Sequence, residues 1–216
     1  MKLNKYQKPD GSTYLAIIPD NPTDKLIDII PAFGIYQKQL LNIPIPADTI
    51  NRRTIEYTFT TMNDIAILEG MLYKNNLQIG DILTIYVDFG IIDITSQDSP
   101  INTNLIYVNN QSPFLFNAIL LLNNTEYTVL NKIDDNKIQI SPNLIETIPA
   151  GTPVFQRFYV LKDFEINNID NNIKIGEESS GQLYFSKKFS LKIILNANPS
   201  PERTIKGEIS YYVLQV

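Results

Sequence analysis

The chain has 216 residues, 44% of them apolar, carries a formal net charge of −5, and contains no histidine, cysteine or tryptophan. These absences exclude imidazole acid–base chemistry, serine–histidine and cysteine–histidine nucleophiles, disulfides and thiolate zinc sites. The acidic balance, with a pI of about 4.8, opposes a nucleic-acid partner, because phosphate recognition rests on basic patches.

Residue choice favours sheet. There are 34 isoleucines and 23 asparagines against seven alanines. Isoleucine suits a pleated, half-buried surface, whereas alanine is the strongest helix former. The expected fold class is all-β, an antiparallel β-sandwich of jelly-roll-like form with at most one or two short helices.

The start of the chain, Met1 to Lys5, is basic, but Asp10, Gly11, Asp20 and Pro22 break the apolar stretch that a signal peptide requires. Six of the 13 prolines, Pro9, Pro19, Pro22, Pro31, Pro44 and Pro46, lie in the first 46 residues. Proline donates nothing to a sheet ladder, so residues 1–50 read as an extended N-terminal arm with edge elements, and residues 51–216 as the β-sandwich domain. Within the arm, Ile43, Pro44, Ile45 and Pro46 predict an apolar, polyproline-like path that lies on its own domain or on a neighbouring subunit.

From residue 52 the apolar pattern has period two. Ile55, Tyr57 and Phe59 share one face; Leu83, Ile85, Val87 and Phe89 another; and Asp88 falls on the wet parity with Thr84 and Tyr86. Between them, Ile65, Leu68 and Leu72 predict a short helix over Asn63–Lys74, with Gly70 against it. The longest apolar run, Phe114 to Leu122, is about half a membrane span, so no membrane partner is expected. Asn123-Asn124 predicts a hairpin turn into residues 126–132, because asparagine tolerates the left-handed region. Asp134-Asp135-Asn136 leads into a strand over Lys137–Ser141, and Asn171-Asn172 predicts a further hairpin. Leu183 to Leu195 and Ile205 to Val213 alternate again, with Lys187 marking a bulge or turn.

Motifs for chemistry are sparse. No two glycines stand closer than five positions, which removes the dinucleotide fingerprint, and Gly176 and Gly181 lack the lysine of a P-loop. No serine has a lysine three residues later. Carboxylate catalysis survives on paper through Glu56, Asp81, Asp88, Asp93, Glu126 and Glu165. Asp134, Asp135 and Asn136, or Asp170, Asn171 and Asn172, offer oxygen atoms to calcium without the spacing of an EF-hand loop. Solvated surface acids and turn formation are the simpler readings of both sets, and no cofactor or metal is expected.

Lys137–Leu144, followed by Ile148-Pro149-Ala150-Gly151-Thr152-Pro153-Val154, reads as a strand, a loop and a turn into another strand. This segment, about 20 of the 216 residues, resembles β-rich structural proteins of bacteriophage virions. The resemblance implies a capsid, neck or tail subunit, located in the virion, that works by repeated contacts with its own copies and other virion proteins. A non-enzymatic structural protein is therefore expected, assembling into a symmetric oligomer through its arm, strand edges and loops. The expected contacts are Ile43, Pro44, Ile45 and Pro46, with Phe114 and Phe116 as a second set. The first alternative is a carbohydrate- or receptor-binding sandwich with a tyrosine or phenylalanine platform; the second is a carboxylate-based glycosidase.

Overall fold

Alternation becomes strand wherever one parity is buried. In Ser190–Ala197 every second side chain, Leu191, Ile193, Leu195 and Ala197, is buried while Ser190, Lys192, Ile194 and Asn196 face outward. A computed structural model describes residues 2–7, 13–18, 34–60, 66–111, 114–134, 136–175, 183–185 and 189–214. In chain order the strands are β1 (Lys2–Gln7), β2 (Thr13–Ile18), β3 (Gly34–Ile45), β4 (Arg53–Thr60), β5 (Ala66–Leu72), β6 (Ile82–Ile94), β7 (Leu105–Tyr107) and β8 (Ile119–Leu122). They continue with β9 (Thr125–Asp134), β10 (Lys137–Ser141), β11 (Pro153–Glu165), β12 (Ile173–Ile175), β13 (Leu183–Phe185), β14 (Ser190–Ala197) and β15 (Arg203–Leu214). A 3-10 turn occupies Lys74–Asn76.

The protein is an all-β sandwich of antiparallel sheets. One sheet runs β4-β14-β6-β11-β8-β9-β10-β7; the other runs β12-β5-β15-β3, with β13 also on β5; β1 and β2 pair with each other. The main core lies between the second sheet and the β4-β14-β6 part of the first. There Leu41, Ile43 and Ile45 of β3 meet Leu83, Ile85 and Val87 of β6 and Leu191, Ile193 and Leu195 of β14.

The 13-residue strands β6 and β11 form a ribbon that outruns this core. The excursion between them, residues 95–152, builds a second core from Ile106, Phe114, Leu120, Leu122, Tyr127, Val129, Ile138 and Ile140. Here the sheet curls until β7 meets the end of β6, through the Thr95–Val108 bridge and the Ser96 N–H bond to the Tyr107 carbonyl (3.0 Å). Gly90, at φ 67°, sits where the β6–β11 register shifts, so a bulge redirects β6 from one core to the other.

Several expectations are met closely. Asn123 (φ 47°) and Asn124 (φ 67°) turn β8 into β9 in the left-handed conformation that a two-residue hairpin needs. Pro149–Thr152 forms a turn closed by the Thr152 N–H on the Pro149 carbonyl (3.3 Å), with Gly151 at φ 84°.

Others are corrected. The helix expected over Asn63–Lys74 is replaced by β5, paired with β15 and β12; residues 61–65 lie outside the described residues. A four-residue spacing such as Leu68 to Leu72 also preserves strand parity, and tertiary pairing decides between the two. A Cβ at Gly70 would stand 3.1 Å from the Glu208 carbonyl oxygen on the neighbouring strand, so glycine permits close pairing. Asn171-Asn172 closes no hairpin: it carries the chain from β11 in one sheet to β12 in the other. The run Leu183 to Leu195 is likewise divided between sheets, and Lys187 lies outside the described residues.

The polyproline-like path is corrected too. β3 pairs along its whole length with β15, including Ile43 with Ile205, Pro44 with Thr204 and Ile45 with Arg203. Proline is tolerated because β3 is the edge of its sheet. The boundary expected at residue 50 falls in the short β3–β4 connection, and residues 1, 8–12 and 19–33 of the expected arm lie outside the described residues.

Candidate contact surfaces

Most of the candidate catalytic acids are engaged in hydrogen bonds and ion pairs of the fold. Asp81 is fully buried; its carboxylate pairs in two-pronged fashion with Arg203 (2.8 Å to each oxygen) and accepts the N–H groups of Gln78 and Asn198 (2.8 Å each). Asp93 accepts the N–H groups of Ile94, Asn109 and Asn110. Burial works against its charge, yet these bonds hold its carboxyl below the usual range. Asp88 accepts the Gly90 N–H at the bulge, and Glu56 receives Lys192 (3.4 Å). Asp134 pairs with Lys137, and the Asn172 amide oxygen accepts the Lys74 N–H (3.4 Å). Among the described residues, no three His, Cys, Asp or Glu side chains come together as a metal cluster.

The expected assembly residues separate by parity. Ile43 and Ile45 are 4% and 1% exposed and belong to the main core, whereas Pro44 and Pro46 are exposed. Phe114 is 1% exposed and anchors the second core; Phe116 is 56% exposed, with the Lys132 ammonium 5.8 Å from its ring. The structure therefore leaves Pro44, Pro46 and Phe116 at the surface and encloses the other three.

Strand edges form a second surface. β3 and β4 are terminal strands of their respective sheets, and among the described residues nothing pairs with their outer sides. Gln39 of β3 donates to the Tyr57 hydroxyl of β4 (3.2 Å), so the two edges stand side by side. β3 is interrupted by Pro44 and carries Lys38, devices that discourage pairing. β4, Arg-Thr-Ile-Glu-Tyr-Thr-Phe-Thr, has no proline, glycine or lysine, and its Thr54, Glu56, Thr58 and Thr60 side chains are exposed.

The β3–β4 connection is fixed by Asp48. Its carboxylate accepts the N–H groups of Asn51 and Ile50 (2.9 Å each) and the Arg53 side chain (3.3 Å). These bonds, the Asn51 N–H first, lower its pKa from 3.8 to about 2. A depressed carboxyl stabilises the fold above the unfolded value and loses that contribution as pH falls through the folded one. Asp48→Asn, which keeps the N–H acceptor but not the charge, is expected to flatten the loss of stability between about pH 4 and pH 2. Urea midpoints measured across that window check this; an acid limb identical to that of the parent chain contradicts it.

A third surface crosses the outer face of the larger sheet. The Arg157 guanidinium lies 5.0 Å from the centre of the Tyr86 ring, and Tyr159 meets Tyr86 edge-on at 5.5 Å. The Tyr159 hydroxyl donates to Glu126 (2.8 Å), which also receives Lys162 (3.2 Å). Burial, then the bond to Glu126, pushes Tyr159 up to about 12, and burial also raises Tyr86. Sequence reasoning did not single out this belt. Its signal was an aromatic residue, Tyr86, on the wet parity beside Thr84 and Asp88.

No protein-family model matches the chain, and no curated protein matches it in sequence. Among solved structures it is similar to that of infectious bursal disease virus, Gt strain, at 8% identity and TM-score 0.18, over 97% of this chain and 50% of that one. It is also similar to the infectious bursal disease virus VP2 subviral particle at 6% identity and TM-score 0.19, over 94% of this chain and 47% of that one. The chain spans about half the length of each.

Proposed function

We propose that the chain is a non-enzymatic virion structural protein that assembles into a symmetric oligomer through its strand edges. The observation that carries this reading is the unpaired edge of β4, eight residues of β-forming sequence without proline, glycine or lysine, beside the edge of β3. An unpaired strand offers a row of N–H and C=O groups to a second strand, and natural sheets either block such a row or use it. Two copies joined through β4 about a two-fold axis would make one continuous sheet, an isologous contact that closes. Pro44, Pro46 and Phe116 belong to the same reading as surface contacts, while Ile43, Ile45 and Phe114 support them from within.

The likeness of Lys137–Val154 to phage virion proteins supports placing the subunit in a bacteriophage particle, with its own copies and other virion proteins as partners. Peptide quantification on gradient-purified, salt-washed particles tests this. The chain is expected at a fixed ratio to the other particle proteins; its absence from the particles, or a ratio that falls with each wash, contradicts the reading.

A further inference from the structure

Beside the β8–β9 turn, the outer face of the larger sheet is indented by a cleft of about 310 Å3. Its floor follows from register. Phe155 of β11 stands opposite Ile91 of β6 on one side and Leu121 of β8 on the other. Phe155 and Ile91 remain 41% and 56% exposed, so an aromatic ring flanked by aliphatic surface faces solvent.

Polar groups stand at both ends of this floor. At one end is the Asn123-Asn124 turn. Both asparagines are exposed, and among the described residues no hydrogen bond engages either side-chain amide. At the other end is Arg157, four residues along β11 from Pro153 and thus about 13 Å away. Its Nε–H is buried without an acceptor. The acids beside it accept their hydrogen bonds from elsewhere, Asp88 from the Gly90 N–H and Glu126 from Tyr159 and Lys162, although Glu126 still feels the Arg157 charge. A guanidinium 5.0 Å from a tyrosine ring, fixed further by the Tyr159 hydroxyl and left with one N–H unsatisfied, is positioned to receive a planar anion.

We propose that this cleft binds a saccharide, and that the saccharide carries a carboxylate. The apolar C–H face of a sugar ring matches Phe155. Hydroxyl groups both donate and accept, as the amides of Asn123 and Asn124 do. A carboxylate pairs with the positive charge of Arg157, which lines the cleft. The volume lies at the lower end of the range for small-ligand sites, roughly 300–1,000 Å3, which suits part of an oligosaccharide with the remainder crossing the open side. A flat protein contact would not need an indentation bounded at both ends by polar groups. None of these residues belongs to the β3 or β4 edge, so the site is independent of the assembly reading.

Saturation-transfer NMR on the full chain with 3′-sialyllactose, a hyaluronan tetrasaccharide and lactose tests the proposal. At least one carboxylated sugar is expected to bind about tenfold or more tighter than lactose. Arg157→Gln should remove that advantage, and Phe155→Ala, at an exposed side chain, should abolish binding while circular dichroism shows the sandwich intact. The proposal is overturned if no sugar binds at millimolar concentration, if lactose binds as tightly as the carboxylated sugars, or if Phe155→Ala leaves binding unchanged.

Discussion

Arg203→Ala is expected to lower the free energy of unfolding by about 3–5 kcal/mol, the cost of leaving a buried carboxylate without its partner. Arg203 opens β15 in one sheet and Asp81 immediately precedes β6 in the other, so their pairing clamps the two layers at one end of the sandwich. The Arg203 side chain is 13% exposed and Asp81 is fully buried. The arginine also donates to the Asn76 carbonyl (3.1 Å) and the Ser200 hydroxyl (3.2 Å), fixing the 3-10 turn and the β14–β15 connection. Removing both charges is not expected to restore stability. In Asp81→Ala/Arg203→Ala the N–H groups of Gln78 and Asn198 lose their acceptor, and each unsatisfied buried donor costs about 1–3 kcal/mol. Urea unfolding of the single and double variants measures this; a loss below about 1 kcal/mol for Arg203→Ala would show that the pair is not the clamp described.

The second large effect separates the two cores. Leu122→Ala removes a fully buried side chain from the core of the 95–152 excursion and is expected to cost about 2–5 kcal/mol. The damage should be local, because the two cores share the β6–β11 ribbon but keep distinct clusters of buried residues. Hydrogen exchange is expected to accelerate first in β7 to β10, while β14 and β15 retain most of their protection. Equal acceleration across both regions would show that the cores open as one unit.

Parity made much of the sandwich legible in the sequence. β14, β15 and the first half of β6 follow from alternation, because one parity of each packs into the main core. The β8–β9 turn follows from two asparagines able to adopt positive φ. Sheet membership was not legible. Leu183 to Leu195 keeps one parity throughout, and nothing local says that β13 and β14 part into different sheets. β5 was misread because i and i+4 share a face in a helix and a side in a strand. The contact surfaces were less accessible still. Ile43 and Ile45 were recognised as apolar, but an apolar residue on an edge strand can face its own core as readily as a partner. Asp81 and Arg203 lie 122 positions apart, and the Tyr86–Arg157–Tyr159 belt joins two strands 73 or fewer positions apart only after folding.

Assembly through the β4 edge is tested most directly by light scattering on the full chain over a wide concentration range, compared with Thr54→Lys/Thr60→Lys. These threonines are exposed and stand opposite Asn196 and Ser190, so added lysines guard the edge without facing a like charge. The parent chain is expected to form a defined oligomer, and the double variant to be a monomer whose stability changes by no more than about 0.5 kcal/mol. A parent chain that stays monomeric at the highest concentration, or a variant that keeps the parent's oligomeric mass, would contradict assembly through this edge.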